Sequence, residues 1–211
     1  MQKPSDKSSI TLTLPIMESD FFKRVDFQRG ELGAGKVLIS EPFMFDFNFK
    51  RTVIFLVEHN NDGSLGFILN RHTDYKLHDI MPEITNPNID LFFGGPVGKE
   101  SLFFIHTLGE LIPESLKITD GVYWGGDFET LKTMINLNQI DINEVKFFVG
   151  YSGWSPNQLN FEMEEKSWIL AKMRDEIIMK GKDKKFWKAA LRGMGGEYKV
   201  MANFPENPSE N

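Results

Sequence analysis

The stretch GELGAGKV at 30–37 places Gly30, Gly35 and Lys36 as a phosphate-binding loop does over its first seven positions. Such a loop cradles phosphates with backbone N–H groups that open a helix, and it holds magnesium through a hydroxyl at the eighth position. Here the eighth residue is Val37, a strand-like run follows it, and no buried strand leads in. Nucleotide binding is therefore rejected, and the glycines read as a lead-in to the first strand. A second candidate is GYSGW at 150–154, which lies between a strand-like run and a helix start, the setting of a hydrolase nucleophile elbow. That elbow needs glycine where Trp154 stands and a histidine after the serine, yet His59, His72, His78 and His106 all precede Ser152. A hydrolase with another order of residues stays open as an alternative.

Metal chemistry has little to work with. There is no cysteine, which excludes disulfides, thiolate nucleophiles and cysteine-based zinc or iron–sulfur sites. His72 and His78 are six residues apart and fit no familiar ligand pair, even with Asp74 and Asp79 beside them, so they read as exposed loop residues. Glu58-His59 and Asn70-Arg71 fall on two runs joined by Asn60-Asn61-Asp62-Gly63, a hairpin turn signal. The hairpin places the first pair beside the turn and the second at its far end, so the four cannot form one cluster within it. The basic segment of Lys180, Lys182, Lys184, Lys185, Lys188 and Arg192 interleaves Phe186 and Trp187. It could meet phosphates and stack on bases, but the spacing of Phe186, Ala190 and Met194 favours an amphipathic helix with its aromatics in the core.

The elements that must position these residues follow from the apolar pattern. Strands are expected at 37–39, 52–58, 65–69, 89–93, 102–106, 122–124, 145–151 and 167–170. The doublets Phe92-Phe93, Phe103-Phe104 and Phe147-Phe148 suggest strands covered on both faces. Asp127 is placed to cap a helix carrying Phe128, Leu131, Met134 and Ile135, and Asp183 one carrying Phe186, Trp187, Ala190 and Leu191. Ser155-Pro156-Asn157-Gln158 has a capping-box pattern with Ser155 at the N-cap. Early hairpins and late helices suit an α+β fold rather than regular βαβ alternation.

The length of 211 residues fits one domain, expected at 31–202, with an N-terminal extension over 1–30 and a flexible tail over 203–211. No apolar run is long enough to span a bilayer, and residues 1–9 lack the apolar core of a secretory signal, so the expected location is the cytoplasm without membrane attachment. The net charge is −6, but 172–192 holds eight basic residues against three acidic ones, a balance of +5 that leaves −11 elsewhere. That balance argues against nucleic-acid binding over the whole surface while leaving one basic segment that could contribute weakly.

In order and spacing, GKVLISEP at 35–42, FKRTV at 49–53, EHN at 58–60, GFILNR at 66–71, GGPV at 94–97, GYSGW at 150–154 and Gln158-Leu159 resemble the AlgH/YqgE family of bacterial proteins. The resemblance covers roughly residues 35 to 170. It implies a compact α+β domain with a strongly bent, mixed, mostly antiparallel sheet flanked by helices, and a family without an established catalytic activity or cofactor. One branch carries the label of a transcriptional regulator, although no helix-turn-helix is evident here. The chain departs from the family pattern at His72, where proline often follows Asn-Arg, and at Ser152, where alanine is common. The matching polar residues Arg51, Glu58, His59, Asn70, Arg71, Tyr151 and Gln158 form the candidate binding surface. No catalytic residue, cofactor or metal ligand is assigned. Three readings follow: a regulatory or adaptor protein with a protein partner, a weak nucleic-acid binder using the basic helix, and a small-ligand binder or hydrolase-type enzyme using the 58–71 hairpin and the 150–154 loop.

Overall fold

Val37, Leu38 and Ile39 open the fold as β1 (Val37–Ser40), and all three are fully buried because the strand is covered on both faces. The computed structural model describes residues 30–206. Residues 1–29 of the expected extension and 207–211 of the expected tail lie outside the described residues. The chain continues through β2 (Val53–Asn60), β3 (Gly63–Ile68), β4 (His72–Lys76), α1 (Leu77–Ile80), β5 (Asp90–Phe93), β6 (Val97–His106), β7 (Leu116–Lys117) and β8 (Tyr123–Trp124). It closes with α2 (Phe128–Asn136), β9 (Val145–Trp154), α3 (Gln158–Glu164), β10 (Trp168–Ala171), α4 (Asp175–Lys180), α5 (Lys184–Met194) and α6 (Gly196–Met201).

The strands form a ten-stranded sheet in the order β10-β1-β2-β3-β9-β6-β8-β7, with β5 joined to β9 and β4 joined to β5. β5 runs parallel to β9, whereas the other pairs are antiparallel, so the architecture is α+β with a mixed sheet. β9 is the hub: residues 147–149 pair with β5, residues 145–149 and 151 with β6, and residues 152–154 with β3. Gly150 marks the changeover at φ +67, where a Cβ would lie 2.5 Å from the Gly95 carbonyl oxygen. Gly95 returns the contact, since its own Cβ would meet Tyr151 backbone at 2.2 Å. This crossing leaves no room for side chains.

Alternation along the strands sorts the core. Val53, Phe55 and Val57 face α4 and α5 with Ile177, Phe186, Trp187 and Leu191, while Ile54 and Leu56 face Trp154, Leu159 and Trp168. Phe148 belongs to the first of these layers and Phe147 to a third, where Leu131 and Ile135 of α2 cover Leu91 and Phe104. Both residues of the 147–148 doublet are fully buried, as two covered faces require.

The caps behave as their residues dictate, with one exception. Asp127 accepts from Thr130 N–H at 2.8 Å, and Asp183 accepts from Lys185 and Phe186 N–H at 2.8 and 3.1 Å. After β9, however, the helix begins at Gln158 with Asn157 as its N-cap, at φ 63, rather than at Pro156 after Ser155. Gln158 still reaches back to accept Ser155 N–H at 2.9 Å, so half of the capping box survives ahead of the helix. Phe204, in the segment expected to be a tail, stacks on Phe43 with centroids 5.4 Å apart. Among the described residues no helix is long and apolar enough to cross a membrane.

Candidate functional site

The β2–β3 hairpin turns at Asn61-Asp62, where Asp62 N–H donates to Asn60 Oδ1 at 2.8 Å. Its tip lies directly against the end of β9, since a Cβ on Gly63 would be 2.2 Å from the Trp154 carbonyl oxygen. This approach brings Glu58, Asn60, Asp62 and Leu65 beside Val97, Tyr151, Ser155 and Pro156 around an open cleft of about 440 Å³. The Tyr151 ring forms a fixed wall. It makes an edge contact with Phe103 at 5.6 Å, and Cβ atoms on Gly98 and Gly153 would lie 3.3 and 2.9 Å from it. Val97, 40% exposed, adds apolar surface. Glu58 accepts from Asn60 Nδ2 at 2.6 Å, and neither Glu58 nor Asp62 has an ion-pair partner among the described residues.

Of the candidate residues, Glu58 and Tyr151 share this cleft, and Gln158 sits just beyond it, bonded to Ser155 and to Glu162 Oε1 at 2.9 Å. His59 points to the other side of β2 and bonds through Nδ1 to Ser64 Oγ at 2.7 Å. Arg51, Asn70 and Arg71 lie at the opposite end of the hairpin and hold backbone. Buried Asn70 accepts Val53 N–H at 2.9 Å and donates to the Arg51 carbonyl at 3.0 Å. Arg71 donates to the Asn48 and Lys50 carbonyls at 2.7 and 3.3 Å; burial lowers its pKa, and the Asp46 charge opposes that. The Arg51 guanidinium donates to the Phe204 carbonyl at 2.7 Å and lies 4.6 Å from the Trp187 ring centroid.

Ser152 offers no nucleophile, because it is fully buried and its hydroxyl donates to the Gly94 carbonyl at 3.0 Å. Nor does the stretch at 30–37 open a helix; Gly35 N–H donates to the Leu56 carbonyl at 2.8 Å and leads into β1. Among the described residues no three His, Asp or Glu side chains come together as a metal site. His72 instead packs at a tilt against the Phe92 ring with centroids 4.4 Å apart, and His78 Nδ1 meets the Ile84 carbonyl at 2.6 Å. In the basic segment Phe186 and Trp187 are buried, which withdraws them from any stacking on bases, while Lys180, Lys182, Lys184, Lys185 and Arg192 are exposed and Lys188 is half-buried.

Asp62, Val97 and Pro156 line the cleft although the sequence marks them only as turn, motif and cap residues, since the packing of the hairpin against β9 is what brings them there. Lys146 carries a plainer signal: a lone lysine inside the apolar run VKFFVG at 145–150. It is 3% exposed, and burial pushes its pKa down to about 7, with Lys182 acting in the same direction and Asp90 opposing.

The mixed sheet and the three core layers packed on it make an α+β domain. The chain belongs to the AlgH-like family, whose profile matches residues 37–199. A UPF0301 protein of Cytophaga hutchinsonii is 42% identical over 181 residues, covering 85% of this chain and all of that one. One from Bacteroides thetaiotaomicron is 38% identical over 197 residues, covering 92% and 99%. The solution structure of the AlgH protein from Pseudomonas aeruginosa superposes with a TM-score of 0.66 at 23% identity, covering 84% of this chain and 98% of that one. The crystal structure of protein DIP2367 from Corynebacterium diphtheriae gives the same TM-score at 20% identity, covering 84% and 95%. Both likenesses concern the fold.

Proposed function

We propose that this chain is a non-enzymatic adaptor or regulatory protein of the cytoplasm that binds a partner protein at the cleft between the hairpin tip and the end of β9. The observation that carries the reading is the pairing of two carboxylates, Glu58 and Asp62, without ion-pair partners, with an apolar wall of Val97 and the immobilised Tyr151 ring. Such a cleft suits a lysine or arginine of the partner seated beside an apolar side chain, with the aromatic face adding to cation recognition. Any influence on transcription would then run through that partner. The second reading, weak nucleic-acid binding, has the exposed Lys182, Lys184, Lys185 and Arg192 in its favour.

The test places a photo-crosslinking amino acid at Val97 in living cells. The expected result is a discrete adduct with one protein that disappears with Glu58→Lys/Asp62→Lys and persists with Lys184→Glu/Lys185→Glu. No adduct, or one that survives the carboxylate reversal, rejects the cleft. Salt-sensitive binding of labelled duplex DNA that is lost with the double lysine reversal replaces it with the nucleic-acid reading.

A further inference from the structure

Lys146 is the only lysine, arginine or carboxylate among the buried described residues. It faces Ile105 across β6, and alternation sets its side chain on the Phe148 side of β9, beneath the turn that links α4 to α5. Nζ lies 4.3 Å from the Phe92 ring centroid and donates to the Gly181 carbonyl in that turn. The turn is tightly seated, since a Cβ on Gly181 would be 2.4 Å from the Phe186 ring.

The surrounding charges do not favour an ammonium. Lys182 follows Gly181 and repels it. His72, from β4, packs at a tilt against Phe92 at 4.4 Å and feels Lys146, Lys182 and Lys76 as like charges. Among the described residues Asp90 of β5 is the one carboxylate acting on Lys146, and it is already bonded to Lys76 at 2.6 Å. An ammonium has three donors, whereas the described residues supply one carbonyl and one ring face here, so the charged form is short of partners as well as of water. A neutral amine meets both contacts without that penalty.

We propose that Lys146 and the Gly181 carbonyl form a proton-operated latch, in which the neutral amine holds the α4–α5 turn on the sheet and proton uptake favours an opened turn. Opening lets Nζ reach water and moves Lys182 away from it. The same turn leads into Lys184 and Lys185 of α5, so the latch governs how the basic face is presented. It is independent of the cleft.

Because the opened amine holds its proton up to about pH 10 while the closed one loses it near 7, opening takes up a proton throughout that interval. Below it both forms are charged and the equilibrium levels off. Quenched-flow hydrogen exchange read by mass spectrometry, corrected for intrinsic exchange, measures this in amides 181–187 of the full chain. Protection is expected to fall up to about tenfold per pH unit from pH 9 to 7 and then flatten. Lys146→Met should give a flat profile, and His72→Gln should leave the wild-type profile in place. Should Lys146→Met fail to fold, Lys182→Glu on the surface serves instead: it removes the repulsion, so the flattening should begin about one pH unit higher. Wild-type protection independent of pH, a slope retained by Lys146→Met, or a profile unmoved by Lys182→Glu overturns the latch.

Discussion

Glu162 Oε2 accepts the indole N–H of Trp154 at 2.9 Å, and the same oxygen accepts that of Trp168 at 2.7 Å. The two indoles meet edge to face at 5.9 Å, and Phe49 lies against both. Trp154 ends β9 and Trp168 begins β10, so a single carboxylate on α3 fixes two strands. The indoles are 5% and 3% exposed, which leaves their N–H groups no other partner if the carboxylate is removed.

Glu162→Ala is therefore expected to destabilise the fold by about 2–4 kcal/mol, from two lost bonds to a charged acceptor. Glu162→Gln, which keeps one acceptor oxygen, should cost about 1 kcal/mol. Urea unfolding followed by tryptophan emission reads both. An unchanged midpoint for Glu162→Ala would show that the carboxylate does not hold the aromatic cluster.

Arg71 gathers the carbonyls of Asn48 and Lys50, and Asp46 turns the same loop by accepting Asn48 N–H at 2.8 Å and, through its carbonyl, Phe49 and Lys50 N–H. The loop is braced from inside, yet Phe45 and Phe47 stand exposed to solvent. Arg71→Ala should cost about 2–3 kcal/mol and Arg71→Lys, which keeps the charge but loses the fork, about 1–2 kcal/mol. Chymotrypsin cleavage after Phe45 or Phe47 should accelerate in both variants by more than global unfolding explains. Cleavage at the wild-type rate would remove Arg71 from the role of loop brace.

These side chains also mark how far the sequence could be read. Runs with two covered faces, such as 53–57 and 147–148, announce themselves because every residue in them is apolar, and the Asp127 and Asp183 caps act locally. β4, with its polar sequence HTDYK, carries no such pattern; it is a strand because β5 pairs with it. β9 runs on past residue 151 because Ser152, Gly153 and Trp154 are paired with β3, not because of their own propensities. The candidate surface divides for a similar reason. Asn70 and Arg71 resemble site residues by type, but their partners are backbone groups of the loop before β2 and of its first residue, some twenty positions away, which no local spacing reveals. Glu58 and Tyr151, 93 positions apart, meet only because the hairpin tip folds against β9.

Stability should rise with pH in two separate intervals, each set by a buried base. His106 is fully buried and neutral: one ring nitrogen meets the Gly125 carbonyl at 3.0 Å while the other accepts Leu108 N–H at 3.3 Å. Burial holds its pKa below the ordinary 6.5, so between its folded value and 6.5 the unfolded chain binds more protons. The stability His106 contributes is full above 6.5 and is lost as pH falls through the folded value. Lys146 acts higher. Its pKa is about 7 when folded against an ordinary 10.5, so the unfolded chain again binds the extra proton and stability climbs from pH 7 towards 10. At about 1.4 kcal/mol per pH unit, that fall corresponds to as much as about 5 kcal/mol of destabilisation at neutral pH. Opening of the α4–α5 turn would cap this cost. Lys146→Met should consequently be more stable than wild type at pH 7 and flat above it, while His106→Gln should flatten only the acid limb. Urea midpoints measured from pH 5 to 10 check both, and a Lys146→Met protein that is weaker than wild type at pH 7 would mean that the amine stabilises the fold in its charged form.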